Sequence, residues 1–546
     1  MNLRPVCEFV DADGGTLAIA IHLRGADEKA GTVFQLRLNR RWGAPAVTVQ
    51  APVVDRVNTV GRRTRAALRF SVPIDQIPDG AVRLEIARKD SDAWVPVATT
   101  PGLLACSRPE SLGERRMQVL PAAGRPATWI RVSTEHRLAR FGWALRNIVR
   151  EMAFVMYGRR FTWVRPLRLL TAPLVPRRPI WLVAERRETA RDNGFALFSY
   201  LRRTRPNDPI YYVIAKDSPM ADEVARLGHV VWHSSLRHRL LMLHAAVLAN
   251  AYSIKHMLPS RWHPGAYMNQ CAWRVGAYRV YLKHGVHLSP DAVKRANGGY
   301  DVVLTVGPQE TEALARTSGY TARQLRETGL SRYDRLVPER PSRTILFMPT
   351  WRRYLVPKLF GSDDALVAYE GSTYQQCVHG LLASTQLADA LDRHRLNLQV
   401  VPHYNLTGLL QSKHLGSERI TILEGTTADI PHLIRSCALL LTDYSSVQFD
   451  VAYLGAPVVY WQFDRDEYAA GHGGTSWFDT QRDGFGPITS TIAETVRRID
   501  AYAQSGFERE SLYTERVDRV FAHKDTDNCR RITQVLEELV PAAYGQ

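Results

Sequence analysis

Residues 438–468, ALLLTDYSSVQFDVAYLGAPVVYWQFDRDEY, decide how the C-terminal part of this chain folds. The apolar run 439–441 predicts a buried parallel strand, and apolar residues follow at helical spacing, namely Val447, Val451 and Leu454. Gly455 and Pro457 predict the end of that helix before a second buried strand at 458–461. Strand, helix and strand in this order predict one βαβ unit of a parallel sheet.

A polar loop, Asp443-Tyr444-Ser445-Ser446, separates the predicted strand from the predicted helix. The free backbone N–H groups and the dipole at a helix N-terminus favour a phosphate. The hydroxyls of Ser445 and Ser446 can cap this helix or bond a ligand directly. The loop therefore predicts a phosphate-sized anion site.

The length and charge of the chain bound its class. With 546 residues it is too long for one core, which predicts two to four domains. Lys and Arg number 71 against 54 Asp and Glu, and the resulting charge of +17 indicates an anionic partner: a nucleotide, a polyphosphate polymer, nucleic acid or an acidic lipid surface. The charge does not choose among these, and a solvated basic surface remains an alternative.

Cysteine usage and hydropathy fit a reducing compartment. The six cysteines lie far apart without a CxxC pair, which disfavours a zinc site or a disulfide scaffold. The N-terminus lacks the apolar core of a signal peptide, and no uninterrupted apolar run reaches about 18 residues. We expect no membrane-spanning segment.

The first part of the chain reads differently from the rest. Residues 1–115 contain short alternating strands, five of them between residues 16 and 87, and predict a small β-sandwich. Residues 116–178 are predicted to be a basic amphipathic helical segment, because arginines and aromatic residues interleave between 137 and 178. Such a segment fits an anionic membrane surface. The alternative is a helical linker with solvated arginines.

Strands alternating with helices follow from residue 179 onward. This order predicts parallel, doubly wound sheets, and the sequence divides them into two Rossmann-like domains at 179–340 and 341–546. Ligands of such sheets bind at the carboxyl ends of the strands. We therefore expect a cleft between two facing sheets.

Four predicted strands end in residues suited to phosphate chemistry. His284 is followed by Gly285, which leaves room for a substrate hydroxyl, and its unperturbed pKa of about 6.5 suits a general base. Transfer of a phosphoryl-type group otherwise needs positioning and charge neutralisation. The other three strand ends carry such groups: Thr350 to Arg353, His403, and Ser445 with Ser446.

Two metal motifs compete with this interpretation. His284 and His287 form an HxxH pattern, but neither a HExxH glutamate nor a third ligand lies nearby. Asp464-Arg465-Asp466 matches the DxD of metal-dependent nucleotide-sugar transferases, but short acidic motifs arise readily by chance, so we interpret it as a loop contact or a helix cap. The residues require neither a metal nor a cofactor.

Several motifs in the order of the chain resemble the CDP-glycerol glycerophosphotransferase family, which includes teichoic-acid polymerases, primases and their capsule-polymer relatives. The motifs run from residue 179 to about 500 and are WLVAERRETARDNG, YLKHGVH, ETGLSRYDRL, ILFMPTWRR, VPHYN and the stretch quoted first. The resemblance implies a GT-B arrangement, a CDP-glycerol or similar CDP-alditol donor held mainly by the C-terminal domain, and peripheral attachment at the cytoplasmic face of the membrane.

The resemblance also implies roles for individual residues. The family's base corresponds to His284, and its second active-site histidine corresponds to His403. The donor contacts would be Gly285, Arg332, Thr350, Trp351, Ser445, Ser446 and Asp450. The chain departs from the family pattern at Lys283-His284-Gly285-Val286-His287, where Trp-His-Gly-Thr-Pro is usual, and at Val401 and Tyr404, where Arg and Pro are common. These departures leave the donor and acceptor open.

The leading hypothesis is transfer of an alditol phosphate from a CDP donor to a hydroxyl of a lipid-linked or polymeric acceptor. One alternative is a GT-B glycosyltransferase that uses a nucleotide sugar and the same serine-bearing helix. Another is a basic surface protein that binds nucleic acid or an anionic polymer, although no known nucleic-acid module is present. We expect no nucleic-acid partner.

Overall fold

We describe the protein from a computed structural model. The structure describes residues 4–13, 15–24, 31–40, 47–59, 62–108, 110–112, 114–120, 127–134, 161–289, 293–339, 342–352, 355, 369–402, 415–424, 428–472 and 476–540. His403 and residues 135–160 of the predicted basic segment lie outside them.

The N-terminal part is built from strands that pair almost entirely antiparallel. Alternate residues of Val33–Arg40 are buried, so one face of that strand enters a core that also holds Leu17, Leu68 and Ile130. The five strands that the sequence predicts here are present. The strands are β1 (Arg4–Asp13), β2 (Thr16–Arg24), β3 (Val33–Arg40), β4 (Val47–Thr59), β5 (Arg62–Pro73), β6 (Gly80–Arg88), β7 (Val95–Pro96), β8 (Ala98–Thr99), β9 (Glu110–Leu112), β10 (Arg115–Leu120) and β11 (Trp129–Thr134).

These strands join in the order β8-β1-β2-β5-β4-β3-β6-β11-β10-β9, and β7 pairs with β6. The first half of β4 pairs with β3, and its second half pairs with β5. The long strand β4 therefore connects two groups of strands around one core.

The second sheet is parallel and follows the order β14-β13-β12-β15-β16-β17-β18 within the described residues. Every residue of its strands β12 and β13 is buried, as expected for a sheet covered on both faces. The strands are β12 (Ile180–Ala184), β13 (Ile210–Ile214), β14 (Val230–Trp232), β15 (Ala245–Asn250), β16 (Tyr278–Tyr281), β17 (Val302–Thr305) and β18 (Leu325–Glu327).

The third sheet is also parallel and follows the order β21-β20-β19-β22-β23-β24 in the described part of the chain. Its strands are β19 (Thr344–Met348), β20 (Asn397–Val400), β21 (Ile420–Ile422), β22 (Cys437–Thr442), β23 (Val458–Trp461) and β24 (Ile488–Thr489). The βαβ unit predicted from residues 438–468 is confirmed: a helix at Val447–Leu454 joins β22 to β23, and Gly455 ends it at a φ of 99°.

Helices surround the two parallel sheets. The α-helices are α1 (Pro101–Ala105), α2 (Val164–Thr171), α3 (Asn193–Thr204), α4 (Ala221–Arg226), α5 (Leu236–His244), α6 (Pro264–Ala266), α7 (Ala272–Val275), α8 (Arg295–Gly298), α9 (Pro308–Thr317), α10 (Thr373–Leu382), α11 (Thr385–Arg393), α12 (Ile430–Arg435), α13 (Val447–Leu454), α14 (Arg465–His472), α15 (Thr480–Asp483), α16 (Ile492–Gln504), α17 (Ser511–Val520) and α18 (Asn528–Leu539). Short 3₁₀ turns lie at Ile74–Gln76, Ala172–Leu174, Ile254–His256, Ala322–Gln324 and Ser331–Arg335, and a π turn at Tyr267–Cys271 joins α6 to α7.

The last helix, α18, returns to the second sheet. Its apolar face, which includes Ile532 and Leu536, packs in one core with Trp181 of β12. The carboxylate of Asp334 accepts from the backbone N–H groups of Asn528 at 2.8 Å and Cys529 at 2.7 Å. The N-terminus of α18 is therefore held by Asp334, which lies in the 3₁₀ turn that follows β18.

The N-terminal strands are tied to the second sheet by an ion pair. Arg108 bonds the carboxylate of Asp301, donates to the carbonyl of Ala277 at 3.1 Å, and lies over the ring of Tyr278. Asp301 also accepts from the backbone N–H of Arg279 at 2.7 Å. Burial alone would raise the pKa of Asp301, but the Arg108 and Arg279 guanidiniums hold that pKa below its ordinary value.

Candidate functional site

The carboxyl ends of β16 and β22 face each other across a cleft between the two parallel sheets. A side chain at Gly285, after β16, would approach Oγ of Ser446, after β22, to 3.5 Å. A second contact joins the two walls, because the indole N–H of Trp477 donates to the carbonyl of His287 at 2.8 Å. Residues predicted from separate strand ends are therefore neighbours.

Arg332 crosses this cleft. It binds the Asp450 carboxylate with two parallel bonds, from Nε at 2.6 Å and from Nη2 at 2.8 Å. Its Nη1 donates to Asp192 at 2.6 Å and to the carbonyl of His284 at 2.7 Å. Burial alone would lower the pKa of Arg332, but the carboxylates of Asp450 and Asp192 hold that pKa well above its ordinary value. The guanidinium thus links α13 to the loop that carries His284.

The imidazole of His284 contacts the rings of Tyr252 and His287. Tyr252 stacks on this imidazole with ring planes 7° apart and centroids 4.6 Å apart. His284 is exposed at the cleft. Tyr252 nevertheless covers part of the ring, and limited hydration, the largest effect, lowers the pKa of the imidazole. Asp192 opposes this shift, whereas Arg332 adds to it. A lowered pKa keeps the ring neutral, which is the form able to accept a proton.

The loop of His284 has an unusual backbone and a buried support. Lys283 has a φ of 62°, a conformation that costs energy for a residue other than glycine. Its ammonium pairs with Glu310, both side chains are fully buried, and Glu310 also accepts from the N–H of Val306 at 3.0 Å. The amide of Asn193 donates to the carbonyl of Lys283 at 2.7 Å. These bonds fix the direction in which His284 leaves the strand.

Glu185 shapes the neighbouring loop, which carries Asp192. This buried carboxylate accepts from the backbone N–H groups of Arg191 at 3.0 Å, Asp192 at 2.7 Å and Phe195 at 2.8 Å. Burial and the charge of Asp192 raise the pKa of Glu185 to about 8, against the effect of these N–H groups. The loop therefore presents Asp192 to Arg332 from a rigid base.

On the other side of the cleft, Arg352 organises the loops after β19, β22 and β23. Its fully buried guanidinium binds Asp464 through Nε at 2.6 Å and Nη2 at 2.9 Å, and Asp443 through Nη1 at 2.9 Å. Asp443 in turn accepts from the N–H of Thr350 at 2.9 Å. Asp464 of the DxD pattern is therefore a loop contact, as the sequence predicts.

Three hydroxyls lie at this end of the third sheet. Oγ1 of Thr350 is buried and has no hydrogen-bond partner among the described residues. Ser446 precedes α13 and is exposed, and its side chain makes no capping bond, whereas Oγ of Ser445 accepts weakly from Val447 at 3.4 Å. Hydroxyls in these positions can donate to a phosphate.

The structure brings together most of the predicted site residues. His284, Gly285, Arg332, Ser446 and Asp450 meet at the cleft. Trp351 is half-buried and packs against the core of the third sheet.

The sequence reasoning gave no role to Asp192, Glu185 or Tyr281, and it named Arg352 and Asp443 at strand ends without predicting their partners. Asp192 lies in a motif noted for its family resemblance, and Arg352 lies beside a predicted contact. The charges of Asp192, Arg352 and Asp443 were the available signal, but these side chains bond groups that lie 93 to 140 residues away in sequence.

Metal ligands do not cluster in the described part of the chain, where no group of three His, Cys, Asp or Glu side chains could hold an ion. The rings of His284 and His287 meet edge to face at 4.8 Å, and the Tyr281 hydroxyl contacts a nitrogen of each. Also within the described residues, no helix combines the length and apolar character needed to cross a bilayer.

The fold and the cleft define an α/β protein in which two parallel sheets place their strand ends against each other. The chain belongs to the family described as CDP-Glycerol:Poly(glycerophosphate) glycerophosphotransferase, whose model matches residues 167–538.

Curated relatives come from teichoic acid synthesis. The chain is 25% identical over 374 residues to the minor teichoic acid biosynthesis protein GgaB of Bacillus subtilis (strain 168), a match that covers 66% of this chain and 40% of GgaB. It is 24% identical over 246 residues to a teichoic acid glycerol-phosphate transferase of Staphylococcus aureus (strain NCTC 8325 / PS 47), covering 41% of this chain and 58% of that protein. The chain thus spans only about 40 to 58% of these relatives.

A solved variant of the wall teichoic acid polymerase TagF has the same fold. The two chains are 16% identical with a TM-score of 0.50, and the match covers 75% of this chain and 100% of that one.

Proposed function

We propose that this protein transfers glycerol phosphate, or a related alditol phosphate, from a CDP-activated donor to a hydroxyl of a lipid-linked or polymeric acceptor. The product would be a cell-envelope polymer, either teichoic acid or capsule. One observation carries the proposal: the loop of His284 lies against the serine-bearing start of α13, with Gly285 facing Ser446. This arrangement supports a proton acceptor and a phosphate site on opposite walls of one cleft.

In the proposed step, His284 takes the proton of the acceptor hydroxyl. The oxygen then attacks the donor's β-phosphorus, and CMP leaves with the electrons of the broken P–O bond. The donor would contact Gly285, Arg332, Thr350, Trp351, Ser445, Ser446 and Asp450, and His403 would act near its pyrophosphate. Among the described residues, the hydroxyl of Thr350 has no hydrogen-bond partner, which supports this assignment.

Arg332 can bind a donor phosphate while it keeps its bonds across the cleft. Its bonds to described residues use four of the five N–H groups of a guanidinium, which leaves one on Nη2. Nη2 is also the atom that lies 3.8 Å from the position of a Gly285 side chain. We propose that this N–H contacts a donor phosphate oxygen.

For the whole chain we propose a GT-B arrangement. The division would be a β-sandwich, an acceptor domain at 179–340 and a donor domain at 341–546, with a basic segment before the acceptor domain. The predicted boundary at residue 115 is wrong, because β10 and β11 extend the N-terminal strands to residue 134, inside the predicted helical segment 116–178. The return of α18 to the second sheet would then bring the end of the donor domain onto the acceptor domain.

A donor screen tests this function. The protein is incubated with CDP-glycerol, CDP-ribitol and UDP- or CMP-sugars, together with a lipid-linked acceptor, and the released nucleotide and the product mass are measured. We expect CMP from a CDP-alditol and a product heavier by one alditol phosphate. Release of a nucleoside diphosphate from a sugar donor would instead indicate a glycosyltransferase.

The base role of His284 is tested by substitution. We expect His284→Ala to lower CMP release about 10²- to 10⁴-fold with unchanged thermal stability, because the acceptor hydroxyl loses its proton acceptor. His432→Ala, which removes an exposed histidine of α12, is the matched control. Near-wild-type turnover of His284→Ala would remove this residue from the base role.

We also propose that α2 docks peripherally on the cytoplasmic face of the membrane. Leu169, Leu170 and Leu174 are 73%, 77% and 71% exposed, beside Arg165 and Arg177. The helix is anchored from behind, because Val164 is buried and the ring of Phe161 packs edge to face on Trp262 at 5.9 Å. Exposed leucines flanked by arginines suit the surface of an anionic bilayer.

Vesicle binding tests this surface. We expect the wild type to sediment with vesicles containing phosphatidylglycerol, and the double variant Leu169→Glu/Leu170→Glu to lose most of that binding, because it replaces apolar contacts with charges that anionic lipids repel. The control is Leu512→Glu, at a leucine of α17 that is 50% exposed. Equal binding by all three proteins would exclude α2 as the membrane contact.

A further inference from the structure

The hydroxyl of Tyr281 lies between two imidazoles at the end of β16. Its oxygen is 3.4 Å from Nδ1 of His284 and 3.0 Å from Nε2 of His287. The rings of Tyr281 and His287 stack with centroids 5.7 Å apart. The three side chains form one hydrogen-bonded row that ends on the proposed base.

Two proton arrangements fit this row, because a phenol carries a single hydrogen. In the first, Nδ1–H of His284 donates to Tyr281, and the O–H of Tyr281 donates to Nε2 of His287. In the second, both bonds run the other way, and the hydrogen of neutral His284 is on Nε2. Since Nδ1 faces Tyr281, the nitrogen free to meet a substrate is Nε2. This nitrogen has a lone pair only in the first arrangement.

We propose that Tyr281 and His287 are positioning residues that hold His284 as the Nδ1–H tautomer and so leave Nε2 free to accept the proton of the acceptor hydroxyl. The inference rests on the base role in the proposed function. As the acceptor oxygen bonds to phosphorus and CMP leaves with the electron pair, the proton arrives on Nε2. The resulting imidazolium donates Nδ1–H to Tyr281, which keeps its own proton and donates it to His287.

The charged groups around the far end of the row are compatible with this direction. Burial raises the pKa of Tyr281, and nearby Asp192 and Glu310 raise it further, so the hydroxyl keeps its hydrogen. Burial together with Lys283 and His284 holds the pKa of His287 well below its ordinary value. A neutral His287 with its hydrogen on Nδ1 has on Nε2 the lone pair that the Tyr281 hydroxyl needs.

The charged groups near His284 come from three segments: the β12–α3 loop, the loop after β16 and the 3₁₀ turn Ser331–Arg335. Limited hydration lowers the pKa of His284, whereas the charge of Asp192 raises it. Three cations lower this pKa further, namely Arg332, Arg186 and Lys283. Because Asp192 bonds Arg332 and Glu310 bonds Lys283, neither of these carboxylates makes a described bond to the His284 ring. The oriented hydroxyl of Tyr281 is therefore the described group that accepts from Nδ1.

The tautomer can be measured without turnover. In ¹⁵N-histidine-labelled protein near pH 8, long-range ¹H–¹⁵N spectra separate a protonated ring nitrogen from one with a lone pair, and His284→Gln assigns the signals by their loss. We expect protonated Nδ1 and unprotonated Nε2 in the wild type. A hydrogen on Nε2 of His284 would overturn the proposal, whatever the protein transfers.

Kinetics of Tyr281→Phe test the same row. We expect kcat for CMP release to fall about tenfold with KM for CDP-glycerol unchanged, since the base is misoriented but donor contacts remain. The acidic limb of the kcat profile should move to lower pH, because the imidazolium loses the acceptor of its Nδ1–H. The matched control, Tyr211→Phe, removes a hydroxyl from a tyrosine that stacks on His229 at 5.1 Å, outside the cleft.

Substitution of His287 distinguishes the proposed tautomer control from a purely structural role more clearly than Tyr281→Phe does. In His287→Leu, the Tyr281 O–H loses its acceptor and is free to donate to Nδ1 of His284, which fixes the inactive tautomer. We expect kcat to fall about 100-fold or more, beyond the effect of Tyr281→Phe. Adding Tyr281→Phe to His287→Leu should then restore kcat to the level of Tyr281→Phe alone. His287→Gln, whose amide oxygen can accept from Tyr281, should recover most of the activity.

Two kinetic results would overturn the proposal: a double variant slower than either single variant, or His287→Gln no faster than His287→Leu. A purely structural role predicts both of these results. If His284→Ala still transfers at the wild-type rate, the base role fails, whereas the spectra report the tautomer separately. The two failures are thus distinguishable.

Discussion

At the scale of single residues, Arg332 decides how the two walls of the cleft meet. One guanidinium holds Asp450 of α13, Asp192 at the start of α3 and the carbonyl of His284. Paired N–H···O bonds of this kind specify orientation as well as attraction. A lysine would keep the charge but could not make the two parallel N–H···O bonds to Asp450.

We therefore expect Arg332→Lys to lower kcat/KM for CMP release by roughly 100-fold, because small displacements of reacting groups have effects of that order. Steady-state kinetics with CDP-glycerol would measure it. Arg335→Lys, at an exposed arginine of the same 3₁₀ turn, should remain near the wild-type rate. Equal rates for both variants would show that the two parallel bonds from Arg332 to Asp450 are dispensable.

Sequence reasoning at this scale succeeds where the strand-end rule applies. His284, Gly285 and Ser446 follow predicted strands, so their meeting at one cleft was predictable. The pairing of Arg352 with Asp464 was not, because 112 residues separate the two and nothing in either segment indicates its partner. The row of Tyr281, His284 and His287 depends on side-chain directions that a strand prediction does not supply.

At the scale of elements, α13 and α18 differ in how far they could be predicted. The length of α13 follows from a polar start, apolar spacing and a glycine that ends it at positive φ. The helix α18 has an equally clear apolar face, but an apolar face does not identify the sheet that it covers. Its contact with β12 is tertiary information.

Docking of α18 should depend on Asp334. We expect Asp334→Ala to lower the stability of the helix N-terminus by about 1–2 kcal/mol, in line with the loss of a cap, because the N–H groups of Asn528 and Cys529 lose their acceptor. Hydrogen exchange should then be faster across 528–539. Asp518→Ala, at an exposed aspartate of α17, is the control. Unchanged exchange in Asp334→Ala would contradict this role.

At the scale of the whole molecule, the N-terminal strands and the second sheet are linked through Asp301. The folded state lowers the pKa of this carboxyl, so the ion pairs stabilise the fold above the ordinary value of 3.8. That stabilisation is lost as pH falls through the lower, folded-state pKa. The attachment of the two parts is therefore sensitive to acid.

Thermal unfolding should display this dependence. We expect Asp301→Asn to have a lower Tm than the wild type at pH 5 to 7. The difference should narrow as pH falls from about 3.8 through the lower, folded-state pKa, below which protonation removes the same charge from the wild type. Asp217→Asn, at an exposed aspartate, controls for a general charge effect. A difference that stays constant down to the lowest pH would contradict the linkage.

The return of α18 also orders events during synthesis. The strands of the second sheet are complete at Glu327, but the residues that cover Trp181, among them Ile532 and Leu536, are translated about 200 residues later. At about 5–20 residues per second, that interval lasts roughly 10 to 40 seconds. During it the nascent sheet presents an uncovered apolar surface, so chaperone contacts and premature aggregation should concentrate on this face rather than on the third sheet.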